Sequence, residues 1–141
     1  MACHKKSISA RQFQRDTGVG SYQTAWTLLH KLRSGLVADP TRRLHGAVEA
    51  DETYIGGHQG GHGRQSVHLL PWAHTVFGNL KAWLRGTFHG VSPKHLQRYL
   101  DEFVYRFDRR WREGELFGFV LHRAARGEPW PYHRLVAESA G

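Results

Sequence analysis

The chain is short of the groups that make covalent or metal cross-links: its 141 residues include 1 Cys and 1 Met. A lone Cys3 excludes an intramolecular disulfide and any zinc site built on paired thiolates, since both need several spaced thiols. This cysteine usage fits a reducing compartment, and a cytoplasmic location is expected. Long apolar runs are also missing. None approaches the roughly 18 residues of a membrane span, and the opening MACHKKSISARQ lacks the hydrophobic middle of a secretory signal. No membrane partner is expected. Acidic residues are absent between Glu52 and Asp101, the stretch that holds Arg64, Lys81, Arg85, Lys94, Arg98 and six His.

What is present suffices for a small core. Hydrophobic residues make up 40% of the chain and aromatics 12%, which argues against wholesale disorder, and the length suits one domain. Lys and Arg number 20 against 12 Asp and Glu, a net charge of +8. Uncompensated cations over a long stretch attract a polyanion and release counterions on binding, so nucleic acid is the first partner to consider. Chance clustering around a histidine-rich loop is the plainer alternative.

Two helices are expected near the start. Ser9 and Ser21 are each placed to cap one, and Gly18 and Gly20 punctuate the turn between them. Tyr22, Ala25, Trp26, Leu29 and Leu32 recur at spacings of three and four, an apolar face suited to packing on Ile8, Phe13 and Val19. Gln23, Thr24, Thr27, Lys31 and Arg33 are then left outward, side-chain types that suit base edges and phosphates in a major groove. The pattern is that of a helix-turn-helix; an ordinary helical hairpin with a solvated face has the same periodicity.

Beyond the linker at 38–43, residues 47–55 alternate with a period near two, which predicts a strand with Asp51 in its middle. Neighbouring strand residues point to opposite faces, so Asp51 and Glu52 cannot jointly grip one ion. Residues 56–63 read as a mobile glycine-rich loop. His58, His62, His68 and His74 are conceivable imidazole ligands, but the glycine-rich setting disfavours a rigid zinc site. Pro71 opens a further helix with Ala73, Val76, Phe77, Leu80, Trp83 and Leu84 on one face, and Ser92-Pro93 opens another carrying Leu96, Leu100, Phe103, Val104 and Phe107. A helix over 115–126 with Leu116, Phe119, Val120 and Leu121 inward, then a short final turn or helix, completes the expected order.

The blocks Gly18–Arg33, Val48–Gly57, His74–Ser92 and Tyr99–Phe107, in this order, resemble the ISXO-like insertion-sequence transposases, bacterial enzymes of the DDE type. With the helix-turn-helix read above placed at 1–37, that resemblance implies that 38–141 is an RNase H-like domain, in which carboxylates hold two Mg²⁺ or Mn²⁺ ions for strand cleavage and transfer. Asp51 matches the first catalytic aspartate and metal ligand. Asn79 matches the third catalytic position, and the resemblance implies that Lys81 or Arg85 contacts DNA phosphates nearby. The block carrying the second aspartate is missing, since no Asp lies between Asp51 and Asn79. One carboxylate and one amide hold too little negative charge for two hard cations.

The expectation is therefore a truncated and internally deleted copy: mainly α with a small β element, a helix-turn-helix followed by a remnant of an RNase H-like α/β domain. Such a chain binds double-stranded DNA at transposon ends, is catalytically defective, does not retain its metal ions, and sits on the nucleoid when DNA-bound. A homo-oligomer is left open. The alternatives are a small non-catalytic DNA-binding regulator and a non-functional remnant.

Overall fold

The computed structural model describes residues 7–37, 46–53, 55, 70–127 and 130–137, apart from the side chain of Glu113. It contains six α-helices among these residues: α1 (Ala10–Thr17), α2 (Tyr22–Ser34), α3 (Pro71–Phe88), α4 (Leu96–Asp108), α5 (Leu116–Arg126) and α6 (Tyr132–Ala137). The chain divides into two compact units, one formed by Met1–Pro40 with Val91–Gly141 and the other by Thr41–Gly90.

In the first unit, local chemistry sets the helix ends. The Ser9 hydroxyl accepts from the Gln12 amide at 3.2 Å and that of Ser21 from the Thr24 amide at 3.0 Å, each satisfying a donor that the first helical turn leaves open. Gly18 ends α1 at φ +70°, where its amide bonds the Gln14 carbonyl at 3.0 Å. Ser21→Ala is expected to cost about 1 kcal/mol, read as a lowered urea midpoint. An unchanged midpoint would mean that water caps α2 equally well.

Leu36, Tyr105, Leu116 and Val120 form the buried cluster, with Leu32 and Phe119 against it. Ala25 and Leu29 are fully buried on α2, and Leu135 anchors α6. An ion pair lies alongside. The Arg33 Nε donates to Glu102 Oε2 at 2.7 Å, with the two side chains 1% and 0% exposed. Ser7 donates its hydroxyl to the other Glu102 oxygen, and the Arg33 guanidinium sits 4.5 Å from the Tyr99 ring centroid. A carboxylate with both oxygens engaged thus ties α4 to α2 and to the segment ahead of α1.

His30 is buried beside this pair. Its ring lies 3.9 Å from that of Trp26 and 5.0 Å from that of His95, and its Nε2 is 3.4 Å from the Tyr99 hydroxyl. Burial, then the nearby Arg33, His95 and Arg98, push the His30 pKa down to about 3. His95 is also lowered, by burial and then by Arg98 and Lys94, while burial raises Tyr99.

The second unit is described at 46–53, at 55 and from Leu70 to Gly90. Pro71 supplies the first residue of α3, and Leu70 provides no side-chain cap. Glu49 does so instead, its Oε2 accepting from the Ala73 amide at 2.9 Å. Leu80 and Leu84 are the buried residues of α3, on the face that the periodicity predicts. The helix ends at His89, φ +56°, followed by Gly90 at φ +136°.

Several expectations are corrected. The strand is absent: the described part of 47–55 forms no β-bridge, and no strand occurs among the described residues. A strand must pair its backbone groups with a neighbour, and here Glu49 turns to the end of a helix. With no sheet among the described residues, the expected small β element and RNase H-like layer are not seen there. Tyr22 is 48% exposed rather than inward, at the first turn of α2 near Arg11. Leu121 is 57% exposed, because Leu116 and Val120 set the inward stripe and the next residue lies roughly 100° round the helix. On α4 the buried residues are Arg98, Tyr99, Glu102 and Tyr105, while Val104 of the expected face is exposed. The expected linker at 38–43, the glycine-rich loop, His58, His62 and His68 lie outside the described residues.

Candidate nucleic-acid interface

Helix α2 has two chemically distinct sides. Ala25, Leu29 and Arg33 follow one another at intervals of four and are all buried. At roughly 100° per residue, Thr24, Thr27 and Lys31 fall near the opposite side, with Gln23 on its flank. Gln23, Thr24 and Lys31 are exposed and Thr27 is half-buried. Two of these side chains already have partners. The Gln23 amide donates to the Tyr132 hydroxyl at 3.0 Å, and the Thr24 hydroxyl is 2.8 Å from that of Ser21. No acidic residue occurs on the helix, and its cation Lys31 is exposed near the C-terminal end.

Arg33 departs from the expected set. It occupies the inward stripe four residues after Leu29, and Glu102 occupies the matching stripe of α4, three residues after Tyr99 and three before Tyr105. The sequence offers a partial signal, two opposite charges each at helical spacing from apolar or aromatic residues, which marks neither as the other's partner. Periodicity counted over apolar residues alone passes over it. His30 was missed for the same reason: an imidazole held neutral by burial packs as a flat apolar ring.

Helix α3 carries Asn79, Lys81 and Arg85. Asn79 and Arg85 are exposed and Lys81 is half-buried. Lys81 and Arg85, one turn apart, share a flank, and Asn79 lies on the other side of the Leu80–Leu84 stripe. Asp51 is found at the other end of this helix. Its Oδ2 is 3.9 Å from His74 Nε2 in the first turn of α3, and its Oδ1 accepts from the Glu52 amide at 2.8 Å. Glu49 and Asp51 thus place negative charge where a helix N-terminus favours it.

These donors do not suit a pair of divalent ions. Mg²⁺ and Mn²⁺ take about six oxygen ligands each, with one or two protein carboxylates per ion and water or phosphate oxygens for the rest, so a pair needs more carboxylates than one. Here one Asp51 oxygen is engaged locally, the nearby Glu49 oxygen holds a helix amide, and His74 is a nitrogen donor. No cluster of three His, Cys, Asp or Glu able to hold a metal occurs among the described residues. Among those residues no helix is long and apolar enough to cross a membrane.

Comparison with known proteins gives one family match: residues 62–108 match the ISXO2-like transposase domain. The match takes in α3 and α4, with Asn79, Lys81 and Arg85, and leaves Asp51 and α1–α2 outside it. No curated protein and no solved structure matches the chain. Divalent metal use and DNA binding are general to this family. Over residues 62–108, a third of its length, the chain is similar to the insertion-sequence transposases of this type.

Proposed function

We propose that this transposase-related chain holds double-stranded DNA, as at the ends of an insertion sequence, without cutting it. In this reading α1 and α2 act as a helix-turn-helix, with Gln23, Thr24, Thr27 and Lys31 turned to the major groove. Lys81 and Arg85 contact phosphates, and the segment 38–141 descends from an RNase H-like domain in which Asp51 and Asn79 mark two of the former catalytic positions. The observation that carries it is the acid-free outer side of α2 with Lys31 exposed upon it. Arg33 is left out of the contact set because its guanidinium serves the buried pair.

The test is a salt series of anisotropy titrations on labelled duplex. Affinity is expected to fall with added salt, and Lys31→Ala to reduce the logarithmic slope by about 1. Gln23→Ala should alter preference among duplex sequences and leave that slope unchanged. No binding at low salt removes the reading. Nicking of supercoiled DNA with Mg²⁺ or Mn²⁺ is expected to be absent, and nicking abolished by Asp51→Asn would overturn the inactive assignment.

A further inference from the structure

The first unit carries an open groove of about 1040 Å³ between α2 and α5. Leu28, Leu32, Phe13 and Val37 give it apolar walls, and Leu28 and Val37 are 40% and 52% exposed. The charged residues lining it are all basic: Lys31 on α2, and Arg123 and Arg126 on α5, with His122 beside them. Arg123 is committed to the fold, its Nη1 donating to the Val37 carbonyl at 3.1 Å. Lys31 and Arg126 have no ion-pair partner among the described residues.

Two classes of polyanion fit a cationic rim, and the groove's lining separates them. An unpaired nucleic-acid strand is held by stacking bases on free aromatic faces. Trp130, the largest aromatic in the lining, already has the Arg134 guanidinium 4.3 Å and that of Arg98 5.7 Å from its ring. The remaining apolar lining is largely aliphatic, the surface that takes the leucine-type face of an amphipathic helix. A second copy is disfavoured, since two chains of net charge +8 repel.

We infer that this groove is a docking site for an acidic amphipathic helix of a partner protein, which lays its apolar face on Leu28, Leu32 and Val37 and its carboxylates against Lys31 and Arg126. The site shares Lys31 with the duplex-binding reading, and Arg126 distinguishes the two because it is not among the proposed DNA contacts. Arg126 is exposed, so Arg126→Glu should leave the thermal transition of the full chain unchanged.

The probe is a fluorescein-labelled, helix-forming peptide with Leu on one face and Glu on the other, titrated with the full chain. Binding is expected, weakened roughly tenfold by Arg126→Glu and also weakened by Leu28→Ser. The same peptide with Lys in place of Glu should not bind, and a scrambled peptide should bind far more weakly. Equal binding of the scrambled peptide would overturn the inference in favour of bulk charge attraction. So would binding of an oligothymidylate, but not the peptide, with the same Arg126→Glu sensitivity, or self-association lost in that variant. Absence of peptide binding, or binding indifferent to Arg126→Glu, would also overturn it.

Discussion

Glu102→Ala is expected to destabilise the chain by about 3–5 kcal/mol, lowering the melting temperature by roughly 10–20 °C. The substitution strips both oxygens from the Ser7 and Arg33 contacts and leaves a guanidinium that is 1% exposed without its carboxylate. Removing one partner is worse than removing both, because the loss is dominated by an uncompensated buried charge. The double change Arg33→Met with Glu102→Leu is accordingly expected to be far milder than Glu102→Ala, although the two act on the same spot. Urea titrations of Arg33→Met, Glu102→Leu and the double variant complete the cycle, with Glu102→Ala measured beside them. A Glu102→Ala penalty below about 1 kcal/mol would show that the pair behaves as an exposed one.

Acid should destabilise the protein through His30. Its folded pKa of about 3 lies below the ordinary value of 6.5, so as pH falls the unfolded chain takes up the proton first. Stability from this residue is therefore fully present above about pH 6.5 and is lost progressively from there toward about pH 3. The slope approaches 1.4 kcal/mol per pH unit, about 2 kcal/mol between pH 7.5 and 5. His95 adds in the same direction, since burial and the cations Arg98 and Lys94 also disfavour its charged form. Urea unfolding across this range should show His30→Met losing less stability than the parent on acidification. Parallel pH profiles for the two proteins would contradict the assignment.

Both effects come from polar residues that local sequence rules place outside. The helix starts were readable: Ser9, Ser21, Pro71 and Pro93 all lie at or beside observed N-termini, because capping and proline geometry act within a few residues. The apolar stripe of α3 was equally local. For Arg33 and Glu102 the decisive fact is the other charge, 69 positions away in the chain, which offsets the cost of burying each. The segment 47–55 failed in the opposite sense. Its alternation suits a strand, yet a strand exists only with a neighbour, and Glu49 instead satisfies an amide of α3.

The candidate interface divides in the same way. Composition and spacing determined by themselves that the chain is basic, helical and without thiol cross-links, and that α2 has a polar side carrying Gln23, Thr24 and Lys31. Tertiary structure alone decided that Arg33 turns inward, that Gln23 meets Tyr132, and that the Asp51 carboxylate lies beside His74 at the start of α3. Charge and periodicity are properties of neighbouring residues along the chain. The desolvation of a charged side chain depends on what the distant chain packs against it.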